Sequence, residues 1–241
     1  MLQKVRGIVL HTLNYKEASV VAHIYTDTFG MQSFLLNGVR KSKARFNANL
    51  LQPLTCVEVV AYFNPGKSLH RVNELSASPV LLAIPYDTVK TTIALFLAEV
   101  LYRSIREEEK NEALFGFIFN SVLYLDKQQE ETSLFHLLFM VKLSRFLGFY
   151  PKTSAVGVST IFDLREGVFT DHLPLHADIM DSQACSHLTQ LLNSRLDTLD
   201  QLYILPTERR SLLKHLVTYY ELHQTHGFQL RSLQVLQEVL S

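Results

Sequence analysis

Residues 54–75 run LTCVEVVAYF (54–63), NPGK (64–67) and SLHRVNEL (68–75). The first run concentrates Val57, Val59, Val60 and Tyr62, β-branched and aromatic residues that fit a pleated, half-buried surface. Asn64-Pro65-Gly66 is a strong turn signal, because proline presets one backbone angle and glycine tolerates positive φ. Ser68 to Leu75 therefore returns as a second strand, and the stretch predicts a β-hairpin.

Three further strand runs lie upstream. Val5, Ile8, Val9 and Leu10 mark the first, and Val20, Val21, Ile24 and Tyr25 the second. Phe34, Leu35 and Leu36 mark the third, after a turn at Phe29-Gly30. A polar, basic connection from Asn37 to Gln52 then leads into the hairpin. Five strands with a longer link after the third predict a small Greek-key barrel, the OB-fold, over residues 1–79.

Downstream of Pro79 the apolar period changes to that of a helix. Pro85 is suited to a helix start, and Val89, Ile93, Phe96, Val100 and Ile105 share one face. Leu114–Leu125 and Ser133–Leu147 predict two more helices, the latter stopped by Gly148 and apolar on nearly every side, as the centre of a bundle would be. Ile161–Leu164 and Val168-Phe169, around Arg165-Glu166-Gly167, suggest a small hairpin within an irregular segment at about 150–180. Helices follow at about 181–193, 208–225 and 230–240. The expected class is α+β, with an OB-fold domain at 1–79 and a mostly helical domain at 80–241.

The chain has 241 residues, 47% hydrophobic and 19% charged, which predicts a globular protein with a sizeable core. No apolar run is long enough to cross a bilayer, the N-terminus has no signal-peptide pattern, and Cys56 and Cys185 do not read as a disulfide framework. A cytoplasmic protein is expected. Overall neutrality hides an asymmetry: Met1–Val80 carries nine cations against four anions, a balance of +5, so the remainder carries −5. Such a difference points to a polyanion surface on the basic part.

Catalytic patterns are missing: neither GxGxxG nor GxxxxGK[ST] nor GxSxG occurs. Cys56 lies inside a strand run, where a packed thiol is the expected role. His172 and His176 have a metal-like i, i+4 spacing beside Asp171 and Asp178, but Pro174 between them opposes a helix. No catalytic residue, metal or cofactor is expected, although a hydrolase using His172 and His176 stays as a rival. The strongest feature is Arg40-Lys41-Ser42-Lys43-Ala44-Arg45-Phe46, four cations within six positions. Flexible cations neutralise phosphates and release counterions, Ser42 adds a neutral hydrogen bond, and Phe46, Tyr15, Tyr62 or Phe63 can stack on bases. Lys16, Arg6 and Arg71 are outer candidates. The other rival is a protein-interaction scaffold without direct DNA binding.

These residues also resemble a known family. Gly7-Ile8-Val9-Leu10, Tyr15-Lys16-Glu17-Ala18-Ser19, Tyr25-Thr26-Asp27 and Gly30 follow the opening of the RecO recombination mediators. Asn37 to Lys43, Leu51-Gln52-Pro53-Leu54 and Leu69 to Glu74 continue that order, and Tyr219 to His223 with Gly227-Phe228 and Leu230 to Leu233 is similar to its closing helices. The resemblance implies a non-enzymatic bacterial DNA repair protein of the RecF pathway, cytoplasmic and nucleoid-associated. It would bind single- and double-stranded DNA, anneal strands and, with RecR, help load RecA onto strands coated by single-stranded-DNA-binding protein (SSB). The SSB C-terminal tail is expected on the helical domain, where Lys142 and Arg145, i, i+3, are candidate partner-binding cations. Many members carry a four-cysteine zinc module after the third helix. Here Gly148 to Met180 contains no cysteine, so zinc is not carried over.

Overall fold

The computed structural model describes residues 1–39, 45–63, 66–129, 132–152, 161–224 and 227–240. They group into two compact units, Met1–Lys127 and Gln128–Ser241.

The first unit is built on five strands, β1 (Leu2–Tyr15), β2 (Ser19–Thr26), β3 (Gly30–Leu36), β4 (Cys56–Tyr62) and β5 (Leu69–Ala77). They close into a barrel in the order β1-β2-β3-β5-β4, the OB-fold the sequence predicts. Strand β1 serves two neighbours, because its first half pairs with β4 and its second with β2. A register shift between Val9 and His11 bends it, and such an irregularity increases local twist where a sheet must curl. A parallel pairing of Ser33–Leu35 with Leu69–Arg71 closes the barrel. Inward residues of all five strands, among them Val5, Ile24, Phe34, Val59 and Val72, form its core.

Two helices belong to this unit, α1 (Thr88–Ser104) and α2 (Glu112–Lys127). Helix α1 begins three residues after Pro85. The Asp87 carboxylate accepts from the Lys90 amide at 2.9 Å and caps the helix, while Pro85 sits in the turn closed by the Tyr86 N–H on Ala83. Asp126 fastens the preceding segment by accepting from the backbone N–H groups of Leu82, Ala83 and Ile84 at 2.8–2.9 Å. Burial alone would raise its pKa. The three N–H donors and nearby Lys90 outweigh that and hold it below the usual carboxylate range. The barrel strands end close to the expected boundary at residue 79, whereas α1 and α2 pack with the barrel, so the compact unit extends to Lys127.

In the second unit α3 (Phe135–Phe146) is central, with Leu137, Leu138, Met140 and Leu143 fully buried. It ends where Gly148 takes φ +86° and the Phe149 N–H bonds Ser144. Helices α4 (Ser182–Asn193) and α5 (Pro206–His223) pack on it, and α6 (Leu233–Val239) closes the chain. The small sheet has strands β6 (Ile161–Asp163), β7 (Val168–Thr170) and β8 (Ile179–Met180), in the order β7-β6-β8. Strand β8 is absent from the sequence reading, because two residues are too few to show alternation. Phe162, Phe169, Phe149 and Tyr219 cluster behind this sheet with ring centroids 4.8–5.5 Å apart. These aromatic contacts lie within and beside the segment Gly148 to Met180, which contains no cysteine.

Helix α3 also carries His136, which is fully buried. Desolvation first, and the Arg209 charge second, push its pKa down to about 3. The unfolded chain protonates this group near 6.5, so the unfolded state binds more protons below that value. Stability is therefore greatest above pH 6.5 and falls as pH drops from 6.5 toward 3. His23, His70 and His215, also lowered chiefly by burial, act in the same direction. Urea denaturation at pH 7.5 and pH 5 is expected to show a loss of about 1–3 kcal/mol at the lower pH. His136→Gln is expected to flatten the dependence.

Candidate nucleic-acid interface

Strand alternation decides which side chains leave the barrel. On the β1–β4–β5 face the register pairs Leu2 with Tyr62, Lys4 with Val60 and Arg6 with Glu58, and then Tyr62 with Arg71 and Val60 with Glu74. A register shift between Val60 and Ala61 leaves Asn73 as an extra residue on β5. That residue orients Arg45, whose Nη donates to the Asn73 carbonyl at 2.7 Å and to its Oδ1 at 3.3 Å. Among the described residues the other N–H groups of the guanidinium make no further hydrogen bond. Arg45, Tyr62, Arg71, Val72 and Asn73 line an open groove of about 540 Å³. Arg71 is exposed and makes no hydrogen bond or ion pair among the described residues. Glu74 on the same strand accepts from Asn73 Nδ2 at 3.4 Å.

The other expected residues separate into three groups. Arg40, Lys41, Ser42 and Lys43 lie outside the described residues. Lys16 is exposed at the β1–β2 turn with φ 53°, its Nζ 5.4 Å from the Tyr15 ring. Phe46 requires correction, and Arg6 already has partners within its own unit. Arg6 bonds Asp27 at 3.0 Å and lies 5.6 and 5.8 Å above the rings of Phe115 and Phe119, so it joins the barrel to α2. Phe46 is only 4% exposed and fills the barrel core under the Arg45 guanidinium, and Phe63 is likewise buried. An aromatic ring next to a basic run gains about 1.5–3 kcal/mol by burial, which here draws Phe46 inward and denies it to a base. Tyr62, half exposed, and Tyr15 remain open.

OB-folds commonly receive oligonucleotides on the face of their second and third strands. Here that face is covered. Tyr102 of α1 stacks on His11 at 4.5 Å and lies 5.0 Å from His23, Phe115 meets Tyr25, and the Met31 N–H bonds the Glu107 carbonyl at 3.0 Å. The open cationic side is therefore the one carrying Arg45 and Arg71. Sequence reasoning missed both Tyr102 and Asn73. Nothing local marks either of them, since Asn73 lies 28 residues from Arg45.

In the second unit Lys142 is not a free docking cation. Its Nζ donates to the Leu192 carbonyl at 2.8 Å, tying α3 to the end of α4, and burial first, then Arg145, lowers its pKa. Arg145 is exposed. His176 faces Asp163 at 3.3 Å and Asp178 pairs with Arg165 at 2.7 Å, while His172 sits in a turn on Thr170. No three His, Cys, Asp or Glu side chains converge as a metal site among the described residues. Burial pushes the Cys56 thiol up to about 12 and that of Cys185 to about 11, so neither is a thiolate at neutral pH. Among the described residues no helix is long and apolar enough to cross a membrane.

Comparison with known proteins agrees along the whole chain. The family model described as "Recombination protein O N terminal" matches residues 1–79, and "Recombination protein O C terminal" matches residues 85–234. The chain is 40% identical over 240 residues to "DNA repair protein RecO" of Bacteroides fragilis, covering 99% of both chains. It is 38% identical to the protein of that name from Phocaeicola vulgatus, covering all of both, and 32% identical to that of Flavobacterium psychrophilum, covering 99% of each.

Proposed function

The chain belongs to the RecO family of DNA repair proteins, and on that premise we propose that it is a non-enzymatic recombination mediator of the RecF pathway. It binds and anneals single strands and, with RecR, helps load RecA onto SSB-coated DNA in the bacterial cytoplasm, at the nucleoid. The observation that carries this reading is the cationic groove at Arg45 and Arg71, neither of them in an ion pair among the described residues, with Arg45 continuous in sequence with Arg40, Lys41 and Lys43. Residues 1–79 form the DNA-holding module, and the acidic remainder, 80–241, meets protein partners. The acidic, apolar SSB tail would dock on the helical part, where Arg145 is an exposed cation.

The mechanism is electrostatic. Cations that neutralise two strands at once lower their mutual repulsion, so complementary bases can meet. Exposed ion pairs such as Lys4–Glu58, at 2.8 Å, contribute only about 0–1 kcal/mol, so Lys4 can exchange its carboxylate for a phosphate.

Titration of a labelled single strand at several salt concentrations, followed by a strand-annealing assay, tests the reading. With four phosphates neutralised, log affinity should fall with log salt at a slope of about −3. A slope near zero, or salt-insensitive capture of proteins with no DNA binding, would replace it by the scaffold reading.

A further inference from the structure

We propose that Tyr62 is a base-stacking point for one nucleotide of a single strand, with Arg71 and Arg45 holding the flanking phosphates. The inference rests on the DNA-binding reading above and specifies how the strand is held. Tyr62 is half exposed in the middle of a cross-strand row, directly opposite Arg71 on β5 and Leu2 on β1. Facing residues in such a row stand about 5 Å apart, and a nucleotide's base and phosphate are separated on the same scale. Leu2 extends the apolar platform at 46% exposure. Arg71 is unpaired among the described residues, and Asn73 holds Arg45 at the groove's other side.

Alternative platforms on the barrel do not have this setting. Phe46 and Phe63 are buried in the core, and Tyr15 lies at the far end of β1 beside Lys16. A single stacking point has a functional consequence. Several bases stacked on protein rings would all have to leave those rings before they could stack on one another in a duplex. One stacked base fixes the strand on the barrel and leaves its neighbours turned outward, as annealing requires. A duplex, whose bases are already paired, would use only the phosphate contacts.

Three variants test this by fluorescence anisotropy with a labelled oligothymidylate and a duplex of equal length. Base–aromatic stacking is worth about 1–3 kcal/mol, so Tyr62→Ala should weaken single-strand binding about 5- to 150-fold. Duplex affinity should stay unchanged, and so should the salt slope. Tyr62→Phe, which keeps the ring, should bind as the unchanged protein does. The chain has no tryptophan, so Tyr62→Trp introduces a unique reporter whose emission single strands should quench and duplexes should not. Equal single-strand affinities for the unchanged protein and Tyr62→Ala, or an unquenched Tyr62→Trp that still binds, overturn the stacking role alone. Absence of single-strand binding by the unchanged protein overturns the DNA-binding reading and this inference with it.

Discussion

Gly30→Ala is expected to destabilise the first unit by about 3–5 kcal/mol, an effect large enough to unfold a domain of ordinary stability. Gly30 opens β3 at φ +61°, a conformation that costs a residue with a Cβ about 1 kcal/mol by itself. The larger part comes from what lies above it. An alanine Cβ would stand 2.5 Å from the Glu109 carbonyl oxygen and 2.9 Å from its amide nitrogen, and nearer still to the Glu107 carbonyl. These are backbone atoms, which cannot rotate aside as a side chain would. The same Glu107 carbonyl accepts from Met31, so displacing it breaks the bond that seats the α1–α2 connection on the barrel. Gly66→Ala is the control, with φ +79° and nothing among the described residues within 4 Å of the added carbon. It should cost only about 1 kcal/mol. Urea denaturation of both variants reads the difference, and equal costs would show that the connection does not depend on close approach to Gly30.

Replacing Arg40, Lys41, Lys43 and Arg45 together by alanine is expected to lower single-strand affinity about 100- to 1000-fold at 0.1 M salt. Each phosphate neutralised on a single strand contributes about 0.7 to the salt slope, hence about fivefold in affinity at that concentration, and four such contributions multiply to several hundredfold. The slope itself should shrink by about 3. Arg45 is exposed, so its removal leaves the barrel core intact, and the far-ultraviolet circular dichroism should not change. Lys142→Ala should behave in the opposite way. It should lower stability by about 1–3 kcal/mol, because it leaves the Leu192 carbonyl without its charged donor, and leave DNA affinity unaltered. Unchanged affinity in the fourfold variant would move the DNA-binding surface away from this segment.

Local patterns were enough to identify the five barrel strands. Val57, Val59 and Val60 followed by Asn64-Pro65-Gly66 carry their strand and turn preferences within a few residues, and Gly148 ends α3 by its own backbone freedom. The +5 charge of the first 80 residues is likewise a property of composition, and it points to a polyanion before any contact is known. What a given side chain does once folded is not local in this sense. Phe46 reads as a stacking ring beside a basic run until the barrel closes over it. Arg6 reads as a spare cation until Asp27, Phe115 and Phe119 converge on it from 21 or more positions away. Lys142 reads as a surface charge until the end of α4 arrives.

The sequence by itself therefore determined the barrel, its helical continuation and the positive charge of its first 80 residues, because propensity, turn chemistry and net charge act over short range or by simple sum. Only the tertiary structure decided which face of the barrel is open. The packing of Tyr102, Glu107 and Phe115 against β1, β2 and β3 closes one side, and the extra residue Asn73 aims Arg45 across the other. Both follow from close packing between segments distant in the chain, where burial and directional hydrogen bonds select among side chains that composition alone cannot distinguish.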